Sequence, residues 1–191
     1  LTCNARVCEA YPQVAAAARE GKWEFMGHSY DQRPIHCEPD QAAIAQRIGA
    51  LAQEARQAAA SGRLAQAMQG WQQVLALSPG QPQALVQLAQ CHLQQGGHER
   101  ARELLQQALA VQPDHALAHA CMARVHVADG DREAALAALD NAITHEPAAW
   151  GARFEKAGLL EDAGRRREAA LSWSTGLQYM PPEAMQSPQV Q

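Results

Sequence analysis

Apolar and small residues recur at helical spacing from about residue 48 to residue 183, and the whole pattern returns every 34 residues. Proline, glycine and alanine each hold one fixed position of this period. The fixed positions are Pro79, Pro113, Pro147 and Pro181, then Gly62, Gly96, Gly130 and Gly164, and Ala67, Ala101, Ala135 and Ala169. Self-similarity at one period indicates stacked supersecondary units that bury their apolar faces on one another.

Each fixed position has a mechanical role in a pair of antiparallel helices. The glycine ends the first helix, because glycine adopts a left-handed turn at low cost. The alanine allows the two helices to approach closely, and the proline ends the second helix. A large residue four positions after the alanine fills the space between units, and it is Trp71, Leu105, Leu139 or Trp173. The pattern therefore predicts pairs at 48–81, 82–115, 116–149 and 150–183, with a tail at 184–191.

A 34-residue helix–turn–helix period is the length of a tetratricopeptide repeat (TPR). Residues 48–183 therefore resemble a right-handed α-solenoid of four TPR helix pairs. The predicted fold class is all-α, with a short α/β fragment before the array. The chain is expected to act as an interaction scaffold and not as an enzyme.

A narrower resemblance lies in the last repeat, in "KAGLLEDAGRRREAALSWSTGLQYMPPEA". This stretch resembles the helical region before the catalytic domain of bacterial aspartyl/asparaginyl β-hydroxylases, and the likeness covers roughly residues 49–188. In that family an Fe(II)- and 2-oxoglutarate-dependent jelly-roll domain follows. This chain has no counterpart of that domain's ligands, so the resemblance implies neither a cofactor nor hydroxylase activity here.

Residues 1–47 do not follow the period. They contain an apparent helix, "YPQVAAAARE", and an apparent buried strand, "WEFMGH". The surrounding stretch resembles the middle of a NodB-type polysaccharide deacetylase, whose His-Ser/Thr-x-x-His motif supplies two metal ligands. His28 and Ser29 match that motif, but Gln32 stands where the second histidine belongs. The resemblance implies an incomplete α/β fragment with no metal, unless a site around His28 were completed.

The composition of the chain disfavours several classes of partner and site. The net charge of −4 gives no electrostatic reason to expect a nucleic-acid partner. The five cysteines include no C-x-x-C pair, which disfavours a disulfide framework or a zinc site and favours the cytoplasm. No apolar run approaches the ~18 residues of a membrane helix, so we expect no membrane partner.

A histidine cluster and a run of arginines each allow a functional and a structural interpretation. His115 and His119 are four residues apart on a predicted helix, with Cys121 and His126 nearby, and this spacing suits a metal. Packing between helices is the favoured interpretation. The basic run 165–167 is expected to be a solvated turn, with docking of an anionic partner as the alternative.

The first helix of each pair lines the inner face of such an array. The Lys and Asn residues with which some arrays hold a terminal carboxylate are missing there, so an extended or helical peptide is favoured over an acidic tail. The expected partner is a protein or peptide segment, or a catalytic domain missing from this chain. The alternative function is a metal-dependent deacetylase fragment fused to repeats. The predicted groove residues are Arg56, Gln83, Val86, Gln90, Leu117, Arg124, Phe154 and Glu161.

The last predicted helix has no capping helix after it in this sequence, although terminal repeats need a polar outer face. Its apolar residues Leu171, Trp173, Leu177 and Tyr179 are therefore expected to form an exposed patch. The sequence predicts that the isolated chain either self-associates through this patch or binds an apolar dye there.

Overall fold

A computed structural model describes residues 41–181, and this part of the chain forms eight α-helices without a β-strand. The helix and strand predicted within residues 1–40, His28 and the tail 184–191 lie outside the described residues. The chain divides into two compact units, Leu1–Ala50 and Leu51–Gln191. The helices are α1 (Gln41–Ala60), α2 (Leu64–Leu77), α3 (Pro82–Gln94), α4 (His98–Val111), α5 (Ala116–Asp129), α6 (Arg132–His145), α7 (Trp150–Asp162) and α8 (Arg166–Tyr179).

The fixed glycines and prolines mark the helix ends as predicted. Each glycine lies between the two helices of a pair and has a positive φ angle, from 74° to 82°. In this left-handed conformation, glycine avoids the steric strain that a Cβ atom would introduce. Each proline lies two residues after the end of the second helix of its pair. The left-handed turn predicted at the fixed glycines is confirmed.

The left-handed turn between α5 and α6 gives a test of this backbone strain. We expect Gly130→Ala to lower the free energy of unfolding by roughly 1–2 kcal/mol, because Gly130 has a φ of 82°. Gly158→Ala is the matched control, because Gly158 lies within helix α7 with free space around it. That variant should gain roughly 0.5–1 kcal/mol. Urea denaturation measures both, and a neutral Gly130→Ala would contradict the assignment.

The core of the array is made of small residues at the helix crossings and single large residues between the pairs. Consecutive helices from α2 to α8 pack on one another, and α3 also packs on α5. Ala101 and Ala135 are fully buried, as predicted for close crossings. The first helix of each pair has its own buried alanine, and these are Ala55, Ala89, Ala123 and Ala157. The architecture is an α-solenoid in which each pair supports the next.

The large residue between neighbouring pairs is buried in the first three pairs only. Trp71, Leu105 and Leu139 are at most 1% exposed, whereas the equivalent Trp173 in α8 is 36% exposed. Leu171 and Leu177 are also exposed. The predicted exposure of these apolar side chains on the last helix is therefore confirmed, and it includes Tyr179. No helix in the described part of the chain is long and apolar enough to cross a bilayer.

Candidate functional site

The first helices of the last three pairs present a shared polar cluster. Gln90 on α3, Cys121 and Arg124 on α5, and Glu155 on α7 lie close enough to interact electrostatically or by hydrogen bonds. Helix α3 packs on α5, which brings these two first helices side by side. We call this surface, formed by α3, α5 and α7, the A-helix face. A ligand lying along it would meet three repeats in succession.

Cys121 lies beneath the A-helix face. Burial raises the pKa of its thiol to about 11, although the nearby Arg124 charge and a hydrogen bond from Gln90 act in the opposite direction. Burial also raises the pKa of the Cys91 thiol. Both thiols are free and remain neutral near pH 7. Neither is therefore an activated nucleophile, and both contribute to the core.

The protonation of these thiols gives a direct test. In the native protein at a pH of about 7.5, we expect Cys91 and Cys121 to resist alkylation by iodoacetamide, because both are buried and neutral. In denaturant both should react fully. Mass spectrometry of the tryptic peptides measures modification at each site separately from the other cysteines. Rapid native labelling of Cys121 would show that the A-helix face opens or that the thiol is activated.

Arg124 and Glu155 carry opposite charges on neighbouring helices. Within the described residues, Arg124 makes no direct ion pair or hydrogen bond, so its guanidinium donors are available. Burial raises the pKa of the Glu155 carboxyl, while the nearby Arg124 charge lowers it. The face therefore offers a free cation beside a partly desolvated acid, which suits a polar or charged peptide group.

The predicted groove residues on α1, α3 and α5 differ in accessibility. Arg56 is exposed on α1, and Leu117 is half-buried on α5. Gln83 is exposed, and its Oε1 lies 3.2 Å from His115 Nε2. Val86 is fully buried, so it belongs to the core and offers no surface to a ligand.

Phe154 and Glu161 are engaged within the last helix pair. The Phe154 ring centroid lies 5.7 Å from that of Trp150 and 5.0 Å from that of Trp173. The Trp173 Nε1 donates a hydrogen bond to Glu161 Oε1 over 3.1 Å. A Cβ atom at Gly176 would overlap the Phe154 ring, so this glycine makes room for the aromatic cluster. Both predicted residues therefore join the A-helix face to α8.

Sequence reasoning did not place Glu155 in the site, although a signal was present. Glu155 occupies the repeat position of Cys121, one 34-residue period later. Equivalent positions of consecutive first helices lie side by side in a solenoid. If the 34-residue register had been followed at every position of the first helices, it would have predicted that Cys121 and Glu155 lie close together.

The histidines near α5 have structural partners. The prediction that His115 and His119 share one helix is wrong, because α5 begins at Ala116. The His115 Nδ1 instead accepts a hydrogen bond from the Ala118 backbone N–H over 3.3 Å and caps the helix. The His119 Nε2 lies 2.8 Å from the carbonyl oxygen of Pro113, and its ring stacks on His145. Within residues 41–181 no cluster of three or more His, Cys, Asp or Glu side chains could hold a metal.

A shallow depression of about 370 Å³ lies between α1 and α2, away from the A-helix face. Its lining is mostly polar and includes Glu54, Gln57, Arg63 and Gln69. It does not include any of the predicted groove residues. The depression therefore does not extend the candidate site.

Family comparison agrees with this architecture. Two family models, each described as Tetratricopeptide repeat, match residues 58–125 and 122–178, and together they span more than half of the chain. The chain belongs to the tetratricopeptide repeat family. TPR arrays are protein-interaction scaffolds, and the matched segments include all three helices of the A-helix face. A comparison with curated protein sequences found no match.

Several solved structures share the TPR fold with this chain. A thermophilic TPR protein of Thermus thermophilus has a TM-score of 0.65 and 23% identity, over 75% of this chain and 80% of that one. A mutant O-GlcNAc transferase of Thermobaculum terrenum has a TM-score of 0.64 and 29% identity, over 69% of this chain but only 26% of that one. The first TPR of Spaghetti (RPAP3), bound to an HSP90 peptide, has a TM-score of 0.57 and 15% identity, over 62% and 94%.

Proposed function

We propose that the A-helix face binds a segment of a partner protein and that the chain acts without catalysis of its own. The observation that carries this proposal is the cluster of Gln90, Cys121, Arg124 and Glu155 on three consecutive first helices. A ligand spanning this cluster would contact several repeats at once. The HSP90 peptide bound by the Spaghetti relative supports a peptide ligand, because that protein has a similar fold.

The chemistry of the face favours a polar segment over a purely apolar one. Glutamine side chains such as Gln90 both donate and accept hydrogen bonds, which matches the backbone amides of an extended peptide. The free guanidinium of Arg124 suits a carboxylate, because arginine binds carboxylates through paired donors. Glu155 nearby favours a donor or a cation on the same ligand. We therefore expect a segment in which an acidic residue lies near a basic or amide residue.

A peptide library displayed on phage tests the proposal. Peptides selected on the wild-type protein should lose at least about tenfold in affinity for Arg124→Glu, because a close charge contact becomes repulsive. Arg132→Glu is the matched control, since Arg132 is an exposed arginine on α6, a second helix. It should bind like the wild type. Equal loss in both variants would indicate general charge attraction, and no loss in Arg124→Glu would exclude this face as the site.

A separate proposal concerns the longer protein to which this repeat array would belong. The resemblance of residues 49–188 to the helical region of aspartyl/asparaginyl β-hydroxylases supports a non-catalytic role beside such a domain. Free, buried Cys91 and Cys121 are consistent with the reducing cytoplasm. Sequencing the full-length transcript tests the parent, which requires a downstream jelly-roll domain. An upstream strand with paired aspartates would instead favour the deacetylase alternative for residues 1–47.

A further inference from the structure

The imidazole of His115 joins the start of α5 to α3. Its Nδ1 accepts a hydrogen bond from the Ala118 backbone N–H over 3.3 Å, and its Nε2 lies 3.2 Å from Gln83 Oε1 on α3. A neutral imidazole has one ring nitrogen that accepts and one that donates. Since Nδ1 accepts, Nε2 carries the proton and donates a hydrogen bond to the Gln83 oxygen. The two contacts together therefore require the neutral form of His115.

Protonation of this imidazole would remove the cap of α5. A doubly protonated ring has no acceptor, so its Nδ1–H and the Ala118 N–H would be two donors that point at each other. The added positive charge would also lie at the N-terminus of α5, where the helix dipole disfavours cations. The ring would turn away from the helix end, and the hydrogen bond from Nε2 to Gln83 would be lost with it.

Among the first helices of the last three pairs, α5 alone has a side-chain cap. The equivalent N-cap residues are Gln81 before α3 and Ala149 before α7, and neither side chain bonds to its helix. Each of them is one 34-residue period away from His115. The proton-sensitive cap thus belongs to the middle helix of the A-helix face.

A pair of histidines lies at the same end of this repeat. His119 on α5 stacks on His145 in the last turn of α6, with 5.4 Å between the ring centroids. In the next repeat the equivalent positions hold Arg153 over the Tyr179 ring, so this contact accommodates one cation. Two protonated histidines at this distance would repel each other. Protonation of both rings would therefore loosen the start of α5 in the same direction as loss of the cap.

The other ionisable groups at this end of the helices are few. They are Asp114 in the turn before α5 and Glu146 directly after α6, both exposed, while Asp140 further back on α6 is paired with Lys156. The first half of α3 and the second half of α4, two helices that pack on α5, contain no ionisable side chain. No ion pair in the described part of the chain includes any of the three histidines. No ion pair therefore offsets the lost cap.

The affected end of α5 is part of the A-helix face. Within the described residues, side-chain hydrogen bonds join α3 to α5 at two levels, Gln83 with His115 and Gln90 with Cys121. Gln83 is a predicted groove residue, and so is Leu117, two residues after His115. Loss of the first level would change the spacing of α3 and α5 beside these groove residues.

We propose that protonation of His115 releases the start of α5 from α3 and thereby weakens ligand binding by the A-helix face. This inference rests on the proposed function, because it concerns the regulation of that same site. Histidine changes its charge between about pH 5 and pH 8, so the face binds its partner at neutral pH and releases it on mild acidification. His115 is a positioning residue here, because it acts on the ligand through α3 and α5.

The backbone amide of Ala118 tests the cap without any ligand. In proton–nitrogen NMR spectra of the full chain, its signal should move between about pH 7.5 and about pH 5.5, which bracket the ordinary pKa of histidine. His115→Asn should abolish this movement, because asparagine caps a helix without titrating. His98→Asn is the matched control, since His98 is the first residue of α4, a second helix, and this variant should keep the movement. A stationary Ala118 signal in the wild type would overturn the proposal.

Binding is tested with phage-selected peptides that lack histidine and that bind the wild type through Arg124. The wild type should bind such a peptide at least about fivefold more weakly at about pH 5.5 than at about pH 7.5. This ratio should be at least about threefold smaller in His115→Asn. Glu155 is also titratable, but both proteins contain it, so the difference between their ratios belongs to His115.

The outcomes separate this regulation from the binding function itself. Peptides that bind through Arg124 with equal pH ratios in the wild type and His115→Asn would retain the binding face and overturn the regulation. The absence of any Arg124-dependent peptide would exclude the face as the site, and the regulation with it, even if the Ala118 signal moves. A pH ratio that persists in His115→Asn but disappears in His145→Phe would assign the effect to the stacked pair and overturn the role of His115.

Discussion

Replacing Leu139 by alanine is expected to lower the free energy of unfolding by about 2–5 kcal/mol. Leu139 is fully buried, and the other buried members of its cluster are all alanines. These side chains are too short to move into the space, so a cavity would remain. Urea denaturation followed by far-ultraviolet circular dichroism measures the loss.

Leu171→Ala is the control for this truncation. It removes the same atoms from a leucine that is 69% exposed on α8, and its effect should stay within about 0.5 kcal/mol. If the two variants lost similar stability, the protein in solution would not have Leu139 buried on α6 and Leu171 exposed on α8.

Enlarging Ala135 to leucine is expected to destabilise the array by roughly 1–3 kcal/mol. Ala135 is fully buried at the crossing of α5 and α6, where it belongs to the same cluster as Ala123. A longer side chain would push these helices apart or adopt a strained rotamer. Thermal unfolding of the variant should show a lower midpoint.

Ala137→Leu serves as the comparison on the same helix. Ala137 is exposed, and leucine has nearly the helix propensity of alanine, so little change is expected. An Ala135→Leu variant that melts at the wild-type temperature would mean that the repeat register assigned to α6 is wrong.

Periodicity made the helix pairs predictable, because each repeat must satisfy the same packing. A glycine such as Gly130 has to adopt a left-handed turn, and an alanine such as Ala135 has to fit a close crossing. Four copies of one pattern reinforce each other, so the eight helices followed from residues 48–183.

Other features depend on contacts between residues that no period relates. His115 matches a helical pattern in sequence, yet its imidazole caps α5 because the chain turns at Asp114 and His115. Val86 has a position typical of the inner face, but it is fully buried in the structure. The pKa of the Glu155 carboxyl is raised by burial, and the charge of Arg124 on another helix opposes this effect. Such effects require the distances between helices, which the sequence pattern does not contain.

The exposed side of α8 also affects how the array unfolds. Solenoid stability is a sum of repeat terms and nearest-neighbour interface terms, so a pair with one neighbour has fewer stabilising contacts than a pair between two neighbours. Among the described helices, the pair α7–α8 packs on α6 at one side, while the pair α5–α6 has a neighbouring helix on both sides. Opening should therefore begin at α8 and proceed inward, and amide exchange should be faster there than in α4 and α5. Any group that covers this side of α8 would slow this fraying, because it would add the nearest-neighbour interface term that the pair lacks among the described helices.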